Sequence, residues 1–465
     1  MLSLALLLLA APDDLETGLK RIVDVFMAVE AEAADPVSSE RAFFGGAIPG
    51  MLRKLDPHSV FFDPDNFEQL KRLQTSKQRG FGSVVSVLPG RVIVLQAVPG
   101  APMARSGVSP GDEIVAINGI RLDTLEMEQL IELLGAARNQ QVKIDVRRSS
   151  NARTLQFLLT PEEMQAPSVE RAFQVQPGVG YIRVGSFDVE TGKQIHDAIE
   201  KLGGAALKGL VLDLRNNPGG VLGAAIETSS LFLKSGQTIL SVKGRKVADQ
   251  DLKVQDNNTP YEFPVAVIVN GKSASASEIV AAAVQDHKRG KVIGEQSFGK
   301  GLVESVYPLS MNTGIALTTS YYYTPDGRSL QKPLKGGTLD ETTARNAGGV
   351  RPDIVAQPEG VTRLRMVLDA TGSFANFATE FLRKQGAITP AFDLSGSHVD
   401  QFKAFVSERR IQPSVSEWSS ESEWIRGRLK QEIFNQALGV EKGDEVEARS
   451  DPQIQAAVQS LGIKE

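Results

Sequence analysis

Residues 211 to 220 read Val-Leu-Asp-Leu-Arg-Asn-Asn-Pro-Gly-Gly, and this stretch decides the fold class. It is typical of a buried strand that runs into a tight turn and then into a helix. Further apolar strand candidates at 179–184, 265–269, 291–294 and 315–323 alternate with helical stretches near 193–202, 223–232 and 278–286. Such alternation predicts an α/β core with largely buried strands.

The glycines at the end of this stretch have bare backbone amides at a strand end and near a helix start. The N–H groups of Gly219 and Gly220 can therefore donate hydrogen bonds to a developing oxyanion. The alternative is a tight turn without catalytic use.

A second segment, Val-Asn-Gly-Lys-Ser-Ala-Ser-Ala-Ser-Glu-Ile at 269–279, places serines where a strand ends and a helix begins. A serine at a helix N-terminus lies in a positive field that favours an alkoxide-like transition state. Small neighbours leave room for a peptide backbone. The alternative is that Ser273, Ser275 or Ser277 only caps the helix.

A third segment, Gly-Glu-Gln-Ser-Phe-Gly-Lys-Gly at 294–301, places Lys300 between two glycines. A serine nucleophile needs a base, and His287 is predicted at the far end of the helix, where it points away. A buried lysine can act as a base because burial lowers the pKa of its amine. A surface lysine in a glycine turn is the alternative.

Short strands alternate with turns from Gly80 to about Thr160, with one helix near 126–135, which predicts a small, partly open β-barrel. Glycines around Phe81 in the segment Gly80, Phe81, Gly82 and Ser83 can form a concave nest of amides suited to a carboxylate. An exposed strand edge beside it would pair with an extended peptide. Together with residues 101–119, this segment resembles a PDZ domain, which implies recognition of free C-terminal tails.

Taken together, these segments resemble the carboxyl-terminal processing peptidases, also called tail-specific proteases. The resemblance extends to Gly50 to Leu52, Leu55 to Ser59, Tyr322 to Ser329 and Pro352 to Ile354. It implies a ClpP/crotonase-like protease core with an inserted PDZ domain, Ser275 as nucleophile and Lys300 as base. It also implies that the oxyanion donors are the amide of Ala276 and one from Gly219 or Gly220. The implied enzyme is a serine endopeptidase that needs no metal or organic cofactor.

One position departs from the family pattern. The family often has Gln four residues after the lysine, and this chain has Glu304. An ionised carboxylate beside Lys300 would stabilise the ammonium form and oppose a neutral base. Three options follow: Glu304 is protonated, it turns away, or activity needs higher pH.

The composition excludes several classes of site and of protein. The 465 residues contain no cysteine and four histidines, so disulfides, thiol nucleophiles and iron–sulfur clusters are excluded and a histidine-rich metal site is disfavoured. The formal charge of -5 argues against a nucleic-acid binder.

The same features predict how the chain is divided into domains. We expect a probable signal peptide remnant at 1–13, an N-terminal helical region at 14–78, a PDZ domain at 79–160, a protease core at 161–358 and a helical C-terminal region at 359–465.

The apolar run Leu2 to Ala11 has the character of a secretory signal, although no basic residue precedes it, and the alternative is a turn of a buried N-terminal helix. We therefore expect a secreted or periplasmic protein, or one held at a membrane through its N-terminus. Expected partners are protein or peptide substrates with free C-termini, an adaptor protein, and a second copy in a homodimer.

Two other functions fit parts of the sequence. A non-catalytic PDZ scaffold would explain Glu304 as the mark of an inactive site. An acyl-CoA enzyme of the crotonase type would also place glycine amides around an oxyanion, but the PDZ segment and the position of Lys300 argue against it.

Overall fold

The computed structural model describes residues 12–73, 77–148, 153–165, 167–333 and 348–463. The apolar run at 2–11 lies outside these residues. Among the helices of the described part, none is long and apolar enough to cross a membrane.

The N-terminal region is mainly helical. Its elements are α1 (Pro12–Glu32), α2 (Ser39–Ala42), a π-helical turn (Phe43–Ala47), α3 (Ile48–Arg53), β1 (Val60–Phe62) and α4 (Pro64–Leu73). Pro49 lies in the first turn of α3, where its missing N–H costs no hydrogen bond, so it starts a helix rather than kinking one. The strand β1 was not expected in this region. It forms because Val60 to Phe62 pair with a strand from the protease half of the chain.

The next module is a sheet with two helices. The strands are β2 (Lys77–Gly80), β3 (Ser83–Leu88), β4 (Arg91–Ala97), β5 (Glu113–Ile117), β6 (Ile120–Arg121), β7 (Val142–Arg147), β8 (Leu155–Leu159) and β9 (Glu162–Gln165). The helices are α5 (Pro102–Arg105) and α6 (Met127–Ala137). The main sheet has the order β3-β4-β5-β7-β8, and β2 pairs with β9 where the chain enters and leaves the module.

The central sheet of the molecule has six strands in the order β10-β11-β12-β15-β16-β19. These are β10 (Val169–Gln176), β11 (Val179–Val184), β12 (Gly209–Asp213), β15 (Val265–Val269), β16 (Gly290–Gly294) and β19 (Ile354–Val355). From β11 onward all neighbours are parallel, which confirms the predicted burial of these strands and brings their carboxyl ends to one edge.

Helices cover both faces of this sheet. One face packs against α7 (Thr191–Leu202), α8 (Leu222–Ser230) and α9 (Ala276–Asp286). The other face packs against α16 (Pro452–Ser460), the last helix of the chain, through residues such as Ile454 and Ala457. The final helix therefore belongs to the α/β core, although it follows a hundred residues of a different region.

A second sheet holds residues that flank the active-site motifs. Its strands are β13 (Thr238–Lys243), β14 (Gln250–Lys253), β17 (Leu302–Pro308) and β18 (Gly314–Tyr323), together with β1. Of these, the sequence predicted only β18.

The C-terminal region is a helical cluster. Its helices are α10 (Arg363–Ala370), α11 (Ser373–Gln385), α12 (Gly396–Glu408), α13 (Val415–Ser420), α14 (Ser422–Leu438) and α15 (Val440–Ala448). They enclose an aromatic core of their own that includes Phe374, Phe402 and Trp418. Ala375 and Val440 also pack against Leu88, Ile93 and Leu95 of the β3–β4 sheet face, so this region touches the PDZ-like module.

Candidate active site

Ser275 immediately precedes α9 at the carboxyl end of β15. Its backbone has φ 54° and ψ -115°, a region that residues with a side chain rarely adopt. Such strain costs about 1–3 kcal/mol and persists only where the surrounding structure imposes it. Ser275 is half-buried, so its hydroxyl lies at the surface of the core and not inside it.

The neighbouring serines have structural partners instead. The Ser273 hydroxyl donates to the Leu214 carbonyl at 2.8 Å, and the Ser277 hydroxyl donates to the Asn217 carbonyl at 3.1 Å. Both are fully buried. They tie the Ser275 loop to the loop that follows β12, whereas the Ser275 side chain and Glu278 form the capping box of α9.

The two glycines of the Pro-Gly-Gly turn have different neighbours: Gly219 packs against the Ser275 loop, and Gly220 packs against Phe187, which follows β11. A Cβ at Gly219 would lie 2.8 Å from the Ser275 Cβ and 2.9 Å from the Ala276 nitrogen. A Cβ at Gly220 would lie 1.9 Å from the Phe187 carbonyl oxygen. Both residues also have positive φ values, 94° and 148°. No other residue type fits at either position.

The amides of this turn differ in what they bind. The Gly219 N–H donates to Asn217 Oδ1 at 2.8 Å. Within the described residues, the Gly220 N–H has no acceptor. The Ala276 N–H is the first of its helix and has no intrahelical acceptor. Of the two glycines that the sequence offered as donors, only Gly220 has a free amide.

Glu278 links the Ser275 loop to the Lys300 loop. Its Oε2 accepts from the Ser275 N–H at 2.9 Å and from the Lys300 N–H at 2.8 Å. Its Oε1 accepts from the Ser297 hydroxyl at 2.5 Å and from the Gly299 N–H at 2.7 Å. Burial raises the pKa of this carboxyl, and the four donors oppose the rise. One fully buried carboxylate thus holds both loops in register.

The Lys300 amine binds Glu304. Its Nζ donates to Glu304 Oε2 at 2.7 Å, and each side chain is about one-quarter exposed (26% and 27%). Among the described hydrogen bonds, none joins Lys300 Nζ to the Ser275 hydroxyl. Of the three options raised for Glu304, turning away from the lysine is therefore wrong, and the other two stay open.

The described contacts of the His287 ring are with residues outside the site formed by the Ser275 and Lys300 loops. It follows the last residue of α9, and its ring nitrogens contact the Gln237 side chain at 3.0 Å and the Thr238 carbonyl at 2.7 Å. It is at the opposite end of the helix that Ser275 begins. Across the described ranges, no group of three or more His, Asp or Glu side chains forms a metal-binding cluster.

Two positioning residues were missed by sequence reasoning. Asn217 is fully buried, and its side chain holds both the Gly219 N–H and, at 2.8 Å, the Val184 carbonyl. Glu278 lies in the first turn of α9, a position to which the sequence assigned no catalytic or positioning role. The signal that could have found these residues in the sequence is a polar side chain within a run of small and apolar residues. A polar group that becomes buried needs hydrogen-bond partners.

The proposed carboxylate-binding loop of the PDZ-like module connects β2 to β3. The Phe81 carbonyl accepts from the Met103 N–H at 2.9 Å, and the Gly82 carbonyl accepts from the Val98 N–H at 2.8 Å. The N–H groups of Phe81 and Gly82 have no acceptor in the described part of the chain. Gly82 has φ 69°, and a Cβ there would lie 2.2 Å from the Ala101 Cβ, so glycine is required.

Comparison with known proteins identifies the family of the chain. Residues 178–356 match the model for peptidase family S41, and residues 93–148 match a PDZ domain model. A carboxy-terminal-processing protease of Bartonella bacilliformis is 33% identical over 73% of this chain and 75% of its own length. A carboxyl-terminal-processing protease of Synechocystis is 31% identical over 62% of this chain and 68% of its own length.

Among solved structures, a photosystem II D1 C-terminal processing protease aligns with a TM-score of 0.42 at 25% identity, covering 74% of this chain and 93% of that one. The matches to the S41 and PDZ models confirm the predicted relationship and favour a peptidase over an inactive scaffold. This chain therefore belongs to peptidase family S41 and is a serine-type peptidase with a PDZ domain.

Proposed function

We propose that the protein is a serine endopeptidase that cleaves protein substrates near their C-terminal tails, with Ser275 as nucleophile and Lys300 as general base. The observation that carries this proposal is the strained Ser275 at a helix N-terminus, packed against Gly219 and linked to Lys300 through Glu278.

In the proposed reaction, the Ser275 Oγ attacks the scissile carbonyl and its proton passes to the neutral Lys300 amine. The N–H groups of Ala276 and Gly220 stabilise the oxyanion. The protonated lysine then gives the proton to the leaving amine, and an acyl-enzyme forms. Water, deprotonated by Lys300, hydrolyses the acyl-enzyme and restores the serine.

The pairing of Lys300 with Glu304 sets a condition on this mechanism. The amine has to leave Glu304 and approach the Ser275 hydroxyl before it can accept a proton. Catalytic hydrogen bonds often tighten only when substrate is bound, so we expect the hydrogen bond between Ser275 and Lys300 to form in the substrate complex.

The PDZ domain would hold the substrate tail. The free amides of Phe81 and Gly82 suit a terminal carboxylate, with Gly80 and Ser83 completing the loop, and the edge strand β3 offers backbone groups to an extended peptide. Amidating the C-terminus of a substrate peptide should weaken its binding because the anion is lost. Unchanged affinity would contradict carboxylate capture.

Several further features belong to the same proposal. The helix α1 exposes a row of large apolar side chains, among them Leu15, Leu19 and Val23, each more than half exposed (59%, 54% and 53%). A homodimer that buries this face fits such a surface. Light scattering should then report a dimer, and Leu19→Glu should shift it toward monomer.

We propose that the protein is secreted or periplasmic and that an adaptor delivers its substrate. We also propose a ClpP/crotonase-like core and a partly open barrel for the PDZ domain, with the domain bounds given above except that α16 (Pro452–Ser460) packs on the core. The parallel central sheet with helices on both faces supports the description of the core.

The deciding experiment compares cleavage of an unfolded reporter protein by the wild type, Ser275→Ala and Lys300→Ala. Lys272→Ala is the matched control because Lys272 is an exposed lysine in the Ser275 loop. Loss of cleavage in Ser275→Ala and Lys300→Ala, with cleavage retained in Lys272→Ala, supports the assignment. Equal cleavage by Ser275→Ala would end it, and an inactive wild type across a pH series would favour the scaffold.

The pH profile tests the base. The value of kcat/KM should rise with pH because a general base has to be unprotonated before it can accept the serine proton. A flat profile from about pH 5 to 10 would contradict general-base catalysis by this lysine.

A further inference from the structure

The sequence Asp-Pro-Gln-Ile at 451–454 begins α16, and its side chains reach into the active-site half of the molecule. The two carboxylate oxygens of Asp451 have separate tasks. Oδ1 caps the helix by accepting from the N–H groups of Gln453 at 2.8 Å and Ile454 at 3.0 Å. Oδ2 accepts from Arg215 Nη1 at 2.7 Å.

Arg215 is held on its other side by Asp213, the last residue of β12. Its Nε and Nη2 donate to the Asp213 carboxylate, with Nη2 to Oδ2 at 2.6 Å, and Asp213 is fully buried. Burial alone would lower the pKa of the Arg215 guanidinium, but the charges of Asp213 and Asp451 outweigh burial and raise it. The guanidinium is therefore a fixed cation between two carboxylates.

The same guanidinium also binds Gln453. Arg215 Nη1 donates to Gln453 Oε1 at 2.9 Å, and Gln453 Nε2 donates to the Ala356 carbonyl at 2.8 Å. Gln453 is buried beside β16 and β19. The start of α16 therefore cannot shift along the sheet without breaking contacts to Arg215.

Arg215 stands at the entrance of the loop that carries Gly219 and Gly220. The next residue, Asn216, has φ 60° and exchanges hydrogen bonds of 3.0 Å with the Asn270 side chain in the Ser275 loop. Asn217 then fixes the Gly219 amide. A displacement of Arg215 would be passed to these residues directly, because only one residue separates it from Asn217.

We propose that Asp451 is a positioning residue for the oxyanion loop: it holds Arg215, and Arg215 holds residues 216–220 in the geometry that points the Gly220 amide at the substrate carbonyl. This inference rests on the proposed function of that loop. It gives the last helix of the chain a role in catalysis and not only in covering the sheet.

The test uses Asp451→Asn and Asp451→Ser. Both residues retain an oxygen that caps α16, and both lack the second carboxylate oxygen that binds Arg215. The matched control is Asp444→Asn, because Asp444 on α15 forms an ion pair with Arg171 on β10 and has no contact with Arg215. Three readouts are compared with the wild type: kcat and KM for an unfolded reporter, inhibition by a peptide aldehyde that forms a tetrahedral adduct on serine, and amide hydrogen exchange in residues 216–220.

We expect both Asp451 variants to lower kcat about 10-fold with KM unchanged, and to weaken aldehyde inhibition by a similar factor, because the oxyanion contact is made only in the tetrahedral state. Hydrogen exchange in residues 216–220 should be faster in these variants and unchanged in Asp444→Asn. Wild-type kcat and wild-type exchange in both Asp451 variants would overturn the inference. A loss of activity that only follows the loss of folded protein would also overturn it.

The exchange measurement separates this inference from the proposed function. If the wild type cleaves nothing, the proposed function fails, while faster exchange confined to 216–220 would still show that Asp451 holds the loop. If the wild type cleaves and Ser275→Ala does not, unchanged behaviour of the Asp451 variants removes the positioning role alone.

Discussion

The protease core and the PDZ domain differ in what they bury. Around Ser275 the core buries a set of polar side chains that hydrogen-bond to one another or to the loop after β12, the Ser275 loop or the Lys300 loop: Asp213, Asn217, Ser273, Ser277, Glu278 and Ser297. In the described part of the PDZ domain, Asp112 is the only buried polar or charged residue. The rest of its core consists of apolar residues such as Val92, Leu122 and Ile144.

The difference indicates that buried polar groups support catalysis in the protease core and stability in the PDZ domain. Apolar packing alone stabilises a small module, but it cannot fix the direction of single N–H groups. A site that needs two loops in register requires hydrogen bonds that are directional and shielded from water. Substitutions of buried polar groups should therefore reduce catalysis in the core and stability in the PDZ domain.

The largest effect should come from Gly219→Ala. Its Cβ would lie 2.6 Å from the Ala274 carbonyl oxygen and 2.8 Å from the Ser275 Cβ, and φ is 94°. We expect kcat/KM to fall by about 100-fold or more because the oxyanion loop is displaced. Gly223→Ala is the control, since its Cβ meets only Val221 Cγ1 at 4.0 Å. Comparable activity of the two variants would break the comparison.

Glu278→Gln should have the next largest effect. Glutamine offers one acceptor oxygen to four donors and places its NH2 group against two of them, so both active-site loops lose their common partner. We expect kcat to fall about 10-fold or more. Glu295→Gln, a few residues away in sequence from Lys300, should leave kcat unchanged. A normal kcat for Glu278→Gln would mean that the loops hold their register without it.

Asp112→Asn should affect stability instead. Asp112 binds Arg148 through both carboxylate oxygens, at 2.7 and 2.6 Å, and accepts from the Ser109 N–H at 2.9 Å. We expect the free energy of unfolding of the PDZ domain to fall by about 1–3 kcal/mol, measured by hydrogen exchange. The control is Asp123→Asn, whose exposed ion pair with Arg121 should contribute little. If Asp112→Asn lost as much catalytic activity as Glu278→Gln and lost no stability, the contrast between the PDZ domain and the protease core would be reversed.

The smallest effect should come from Asp56→Ala. Asp56 lies in neither the protease core nor the PDZ domain. Burial would raise the pKa of the Asp56 carboxyl, but hydrogen bonds from Ser59 and His58 outweigh it and hold the pKa below its ordinary value. The carboxylate therefore stabilises the folded state above the ordinary carboxyl pKa, and this contribution is lost as pH falls through the lowered pKa. We expect a deficit of about 1 kcal/mol at neutral pH that shrinks below about pH 4. A deficit independent of pH would contradict the assignment.

The sequence predicted the elements that depend on local pattern. The strands β11 and β15 begin and end at the predicted residues, because their apolar runs are bounded by turn residues. The strands β3, β4, β5, β7 and β8 of the PDZ domain were predicted for the same reason, whereas β2, β6 and β9 were not. The strands β13, β14 and β17 were missed because their own apolar patterns are weak, although β13 pairs with the nearby β14 and β17 with the nearby β18.

The candidate site was predicted in its motifs but not in its contacts. Ser275 and Lys300 were identified by spacing and resemblance, yet the sequence could not show that Glu278 joins their loops or that Lys300 pairs with Glu304. It named Gly219 and Gly220 as candidate donors and favoured Gly220 without a contact that explains the choice. The choice follows from Asn217, whose side chain occupies the Gly219 amide.

The sequence by itself determined the α/β core, the PDZ domain and the residues available for catalysis, because apolar periodicity, turn residues and short motifs act over a few neighbouring positions. Tertiary structure alone decided which amide is free, where the lysine amine binds, and that Asp451 meets Arg215 across 236 positions of sequence. The physical reason is that hydrogen bonds and ion pairs depend on distance and direction in space, and these arise only when distant segments pack together.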